Sequence, residues 1–377
     1  MDPTTLLAAL IVALGLLTAD AVTRSNSVVV EVVAPSKIDN LVFDRAMLED
    51  EFDAQLFAIT KIGSVVKAPE VRASSDQGIG MALAEEVKLQ SVAYAIQRQL
   101  GYDPDTLTLY LYQENGVLRG VVSGTSRRIG SFRVILTPLK DEGLIPFVRR
   151  CALWGASHLT PYWTALYLLQ KHSADKDFTD VINLVEREKS ELSPAPLNFD
   201  RSVLDNLLGI VALFKNDARA ARATFEQAIA EDPTNAVAVL NAAFADVQLN
   251  DYSKAAERIQ RLVIGAPPSS KVLQATAYLT WGAAQLGLKD IDGAEQSLAR
   301  ATAIDPESST AWELWSDAKA LKGDTAAAVD LRRKALMTTA TFENFGEVAA
   351  LYFRLAWKDN EPLMRNDFAN PAIVTLH

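Results

Sequence analysis

The sequence predicts an α+β segment followed by an all-α superhelix of stacked helix pairs, behind an N-terminal transmembrane helix. Three observations carry this reading. An uncharged apolar run fills residues 4–19. Strand-like and amphipathic stretches fill 25–140. A motif of small and apolar residues with a constant spacing then begins at Ala221 and returns along the last third of the chain. The resulting boundaries are a membrane anchor at 4–21, an α/β domain at 25–140, a helical connector at 141–201, four repeats at 202–342, and a capping helix with tail at 343–377.

The apolar run Thr4–Ala19 has no charge and is mostly Leu, Ala, Ile and Val. At ~1.5 Å per residue it falls a little short of a ~30 Å hydrocarbon core. Two readings stand. Ala19-Asp20-Ala21 resembles a signal-peptide cleavage site, which would release a soluble exported protein. However, Asp2 and the absence of Lys or Arg before the run disfavour a signal peptide and favour an uncleaved anchor. The first basic residues, Arg24 and Lys37, follow the run. The positive-inside rule then puts the bulk of the chain on the cytoplasmic side of a bacterial inner membrane, with the periplasmic side as the alternative.

Behind the anchor, "SNSVVVEVVAP" reads as a strand closed by Pro35, and "DRAMLEDEFDAQLFAIT" as a helix. That helix places Met47, Leu48, Phe52, Leu56 and Ile59 on one face, and its acidic first half suits a helix N-terminus. "GSVVKAPEVRA" holds a short strand, and Leu89, Val92, Ala93, Ile96 and Leu100 mark a second helix ended by Gly101 and Pro104. "TLTLYLYQENGVLRGVVSG" alternates around Asn115-Gly116, a hairpin signal, and "GSFRVILTP" supplies a further strand. The order β-α-β-α-β-β-β predicts a small sheet with helices packed on it. It resembles the domain that precedes helical repeats in some bacterial membrane proteins of the TolB-N-terminal or FlgO-like type.

No credible catalytic constellation emerges. Gly78 and Gly80 precede a helix, but the residues that complete a phosphate-binding loop or a G-x-G-x-x-G are missing, so a turn is expected there. His158, His172 and His377 have no partners at metal-ligand spacing. His158 would need an unseen partner to act as a base, and reads as a helix-end histidine. The one cysteine, Cys151, lies in an apolar context and is expected to be a small buried hydrophobe. The net charge of −10 argues against a general nucleic-acid binder, although Arg127–Arg128 and Arg149–Arg150 are paired. No cofactor and no metal are expected.

The repeats are the most specific signal. Ala221, Phe225, Ala228 and Pro233 are matched in spacing by Ala255, Ile259, Leu262 and Pro267, and again by Ala294, Leu298, Ala301 and Pro306. A fourth copy keeps Ala328 and Ala335, with Arg332 between them. The leading alanines are 34, 39 and 34 residues apart, a period of 34 with one five-residue insertion. Gly209 and Gly282, in the helix upstream, let two helix backbones approach. Phe225, Ile259 and Leu298 fill the gap beneath, and the prolines stop the second helix.

This pattern resembles the tetratricopeptide repeat, a helix–turn–helix unit of 34 residues. It departs from that family at Ala243, in place of glycine, and at Asp246, where an aromatic is usual. The copies are 202–235, 236–269, 275–308 and 309–342. "TPYWTALYLLQKH" and "DFTDVINLVEREK" form a degenerate earlier pair, and "TFENFGEVAALYFRLAWK" a capping helix with Phe345, Val348, Leu351 and Tyr352 on its apolar side.

The resemblance implies a groove lined by the first helix of each pair. Its expected lining is Asn206, Ile210, Leu213 and Phe214, then Leu240, Phe244, Val247 and Gln248, then Leu279 and Leu286, with an acidic end at Glu313 and Asp317. Such a face suits an amphipathic helix or extended segment of a protein partner. Self-packing by the α/β segment or the C-terminal tail is the alternative. The expected function is a membrane-tethered, non-catalytic scaffold or adaptor. A sensor whose α/β domain binds a small ligand is the second possibility.

Overall fold

Alternation in "SVVVEVV" produces β1 (Ser27–Val33), with Val28, Val30 and Val32 buried on one side. The computed structural model describes residues 27–35, 37–38, 41–42, 45–62, 69–73, 104–126, 130–192, 199–265 and 267–338. These divide into two compact units, one running to Tyr167 and one from Leu168. The predicted anchor at 4–21, the helix around 89–100, the Gly78–Gly80 turn and the capping helix with its tail lie outside the described residues. Among the described residues no helix is long and apolar enough to cross a membrane.

In the first unit, β1 is followed by a two-residue ladder, β2 (Lys37–Ile38) with β3 (Leu41–Val42), then α1 (Arg45–Thr60) and β4 (Glu70–Ala73). The hairpin follows as β5 (Asp105–Glu114) and β6 (Val117–Ser126), with β7 (Gly130–Leu136) after it. The sheet order is β4-β1-β5-β6-β7. β1 runs parallel to β4 and β5, and the last three strands are antiparallel. Asn115 and Gly116 both have positive φ, 52° and 76°, as the two-residue turn requires.

On α1 the buried stripe is Leu48, Phe52, Leu56 and Ile59. Met47, expected on that stripe, is exposed, because it falls one residue ahead of the 48-52-56-59 spacing. The α/β core also extends past residue 140. Helix α2 (Leu144–Leu159) buries Phe147, Val148, Cys151, Ala152 and Ala156 in the same core as Leu107, Leu109 and Val122. The boundary expected at 140 is corrected accordingly, since 144–159 is a core helix of the first unit and not a connector. Cys151 is fully buried, and desolvation pushes its thiol up to about 12.

Past α3 (Pro161–Lys171), the second unit continues with α4 (Thr179–Glu191) and four helix pairs. The pairs are α5 (Phe199–Phe214) with α6 (Ala218–Glu231), α7 (Ala236–Gln248) with α8 (Tyr252–Gly265), α9 (Lys271–Gly287) with α10 (Ile291–Ile304), and α11 (Ser309–Leu321) with α12 (Thr325–Met337). Each second helix also packs on the first helix of the next pair.

The small residues sit where helices meet. A Cβ on Gly209 would lie 2.3 Å from the Phe225 ring, and one on Gly282 would lie 2.6 Å from Leu298. Ala221, Ala228, Ala255, Ile259, Ala294 and Leu298 are buried with them. Pro233, Pro267 and Pro306 are exposed just past their helix ends, so they terminate helices and do not pack in the core. The five-residue insertion lengthens α9 at its start. That helix begins at Lys271, ahead of the boundary expected at 275.

Candidate partner-binding groove

The first helices α5, α7, α9 and α11 lie side by side, each touching the next. Polar side chains fasten the first two. Asn241 donates through Nδ2 to Asn206 Oδ1 at 2.7 Å, with both side chains buried. One turn away, Asn235 Nδ2 donates to Ser202 Oγ at 2.8 Å, and the Ser202 hydroxyl donates to the Ala228 carbonyl at 2.7 Å. Asn235 Oδ1 in turn accepts from Ala238 N as the cap of α7. Asn206, expected on the open lining, is thus engaged in holding repeat to repeat.

Two buried acids are also structural. Asp205 meets Lys189 Nζ of α4 at 2.5 Å, and burial raises its pKa against the pull of that lysine. Asp246 lies 2.7 Å from Arg258 Nε and 3.5 Å from Arg222 Nη1. Burial raises its pKa too, opposed mainly by Arg258. This ion pair, seated between α7 and its neighbours, stands where the family usually carries a ring.

The remaining lining residues separate into two sets. Ile210, Leu240, Phe244, Val247 and Leu286 are buried, as is Asn206. Leu213, Phe214, Gln248 and Leu279 keep part of their surface in solvent. The Phe214 ring packs against Phe178 at 5.3 Å, tilted by 37°, which brings the start of α4 against the end of α5. At the far end Arg332 Nη2 reaches Asp317 at 2.8 Å. Burial pushes the Asp317 carboxyl up to about 6 against the pull of Arg332, with Glu313 adding to the rise.

One regularity has no counterpart among the expected lining residues. Tyr278 and Trp281 on α9 stack at 6.4 Å, and Trp312 and Trp315, 34 positions later on α11, stack at 5.6 Å. Arg300 lies over the Tyr278 ring at 5.5 Å, and Lys334, again 34 positions later, lies over Trp312 at 4.9 Å. The repeat period therefore applies to cation–ring pairs as well as to the core. The signal was present in the spacing of Arg300 and Lys334.

His158 lies in the first unit, its ring 4.0 Å from Trp154 and 5.1 Å from Phe132, with Nδ1 3.0 Å from the Trp154 carbonyl. Its surroundings are those of a packed aromatic. Among the described residues no group of three His, Cys, Asp or Glu is placed to hold a metal ion.

Residues 213–279 match the tetratricopeptide repeat family profile. No curated protein matches the chain. Solved structures similar to it include the MamA 41-end chain from Desulfovibrio magneticus RS-1, at 16% identity over 46% of this chain and 93% of that one, with a TM-score of 0.36. A MamA crystal structure is 21% identical over 45% of this chain and 92% of its own, also with a TM-score of 0.36. The MamA RS-1 ArsTM double mutant reaches a TM-score of 0.38 at 16% identity, over 47% and 93%. Within the second unit, residues 213–279 thus carry tetratricopeptide-type repeats, in a run of helix pairs from α5 to α12.

Proposed function

We propose that the chain is a non-catalytic scaffold that holds a protein partner on the inner face of its repeats and is tethered to a membrane through residues 4–21. The observation that carries the first half is the run of partly exposed lining residues, Leu213, Phe214, Gln248 and Leu279, inside the segment that matches the repeat family. They present an apolar strip with one amide, which suits an amphipathic helix or an extended segment. The tether rests on the uncharged run Thr4–Ala19.

The test uses full-length chain extracted from membranes, with mass spectrometry of the proteins that accompany it. Leu213→Glu with Leu279→Glu is expected to lose those proteins, while Ala223→Glu, on an exposed position of α6, keeps them. Equal recovery by both variants, each with an unchanged helical spectrum, would refute the inner-face reading. Removal of residues 4–21 is expected to shift the chain from the membrane pellet to the supernatant.

A further inference from the structure

We propose that β7 is a docking edge for an extended segment of another protein, which joins the sheet as an added strand and sets an acidic side chain opposite Arg133, with apolar residues on the face toward α2. The surface belongs to the first unit and does not depend on the groove reading above.

The two edges of the sheet are built differently. At one end β4 is four residues long and carries Glu70 and Arg72, paired with each other at 2.7 Å. A short, charged edge resists a further strand. At the other end β7 has seven residues with no proline and no lysine. Its ladder to β6 runs unbroken from Gly120 opposite Leu136 to Ser126 opposite Gly130, so no bulge twists it away. Among the described residues β7 pairs with no strand on its outer side. In an antiparallel ladder every second residue turns both its N–H and its C=O away from the partner strand. About three residues of β7 therefore direct backbone groups outward, which is a template for another strand.

The side chains of β7 define what that strand must carry. Phe132, Val134 and Leu136 lie on the core face but are only half-buried, since no strand flanks them. The Phe132 ring is 5.9 Å from that of Trp154 on α2, itself half-buried. Alternate apolar residues of an added strand would cover this row. On the other face Arg133 and Ile135 are exposed, Ile135 by 50%. The same-face neighbours of Arg133 on β6 are Val121, Ser123 and Thr125, and its guanidinium has no acid partner among the described residues. An Asp or Glu directly across from it supplies the missing charge.

A second copy of this chain fits the edge poorly. Two β7 strands paired about a two-fold axis at their middle residues bring their Arg133 side chains opposite or diagonal to each other, where like charges repel.

The test uses the full-length chain and two fluorescein-labelled peptides, Val-Thr-Val-Glu-Val-Thr and its counterpart Val-Thr-Val-Lys-Val-Thr, with binding followed by anisotropy. The glutamate peptide is expected to bind about tenfold more tightly than the lysine peptide, and Arg133→Glu to reverse that preference. Amide hydrogen exchange should slow at 130–136 when the glutamate peptide is bound, and stay unchanged at 70–73. No binding at about 1 mM peptide, equal affinity for the two peptides, or a preference that survives Arg133→Glu would each overturn the proposal.

Two further results would also overturn it, and each names another occupant or site. Binding lost in Leu213→Glu with Leu279→Glu but kept in Arg133→Glu would place the peptide in the repeat groove. A native chain that sediments as a dimer, and as a monomer once Ile135→Lys is made, would give the edge to a second copy.

Discussion

Asp53, on α1, sits in surroundings that disfavour its charge. Its Oδ1 is buried without a hydrogen-bond partner among the described residues, and desolvation pushes its carboxyl up to about 6, with Glu49 and then Asp50 adding to the rise. The acidic run that suited a helix N-terminus in the sequence in fact starts a full turn inside α1, whose first turn has no acid. The charges therefore repel one another more than they meet the helix dipole. A folded pKa above the unfolded value means that Asp53 favours folding below the unfolded pKa, and that this stability is lost as pH rises through about 6. Asp53→Asn is expected to raise stability by about 1–3 kcal/mol at pH 7.5. The gain should shrink as pH falls from 7 to 4. Thermal melts of both chains across that range check it, and a gap that stays constant with pH would remove Asp53 as its source.

At the scale of elements, the turn inside each repeat follows one rule. Asn216, Asn250, Lys289 and Gly323 all have positive φ, between 59° and 81°. They are separated by the same 34, 39 and 34 residues as the leading alanines. Each is followed by an aspartate whose amide reaches back to the carbonyl five residues earlier, at 2.8–3.0 Å. Asp217, Asp290 and Asp324 then cap the next helix through their side chains. Gly323→Ala should destabilise by about 1 kcal/mol, and Lys289→Gly should stabilise by about half that, because a side chain is strained in the left-handed region. Urea midpoints that move this way at constant slope meet the expectation. An unmoved Gly323→Ala would show that the turn relaxes. The motif was available in "KND", "LND", "LKD" and "KGD", but a search anchored on apolar spacing passes over it. The ladder of β2 with β3 left no such trace, since two residues are too short to show a period.

For the whole molecule, the repeat architecture was readable because small residues recur wherever two backbones must approach, and the position of Gly209 against Phe225 needs only local spacing. The burial of Ile210 and Phe244 could not be read that way, since it depends on contacts between successive helix pairs. Stability in a stack of repeats is close to a sum of each pair and its neighbour contacts. The last pair is the weakest by composition. Arg332 stands where Phe225, Ile259 and Leu298 fill the earlier pairs, and Leu336 and Met337 are left in solvent. The middle pairs are held from both sides, and Asn206–Asn241 and Asp246–Arg258 join α5, α7 and α8 through buried polar contacts. Opening should therefore start at α12 and spread inward. Amide hydrogen exchange should be slowest in α7 and α9 and fastest in α12, and Arg332→Leu should slow exchange in α11 and α12 while leaving α7 unchanged. A common rate from α5 to α12 would mean that the stack opens as one unit and that the end pair is not its weak point.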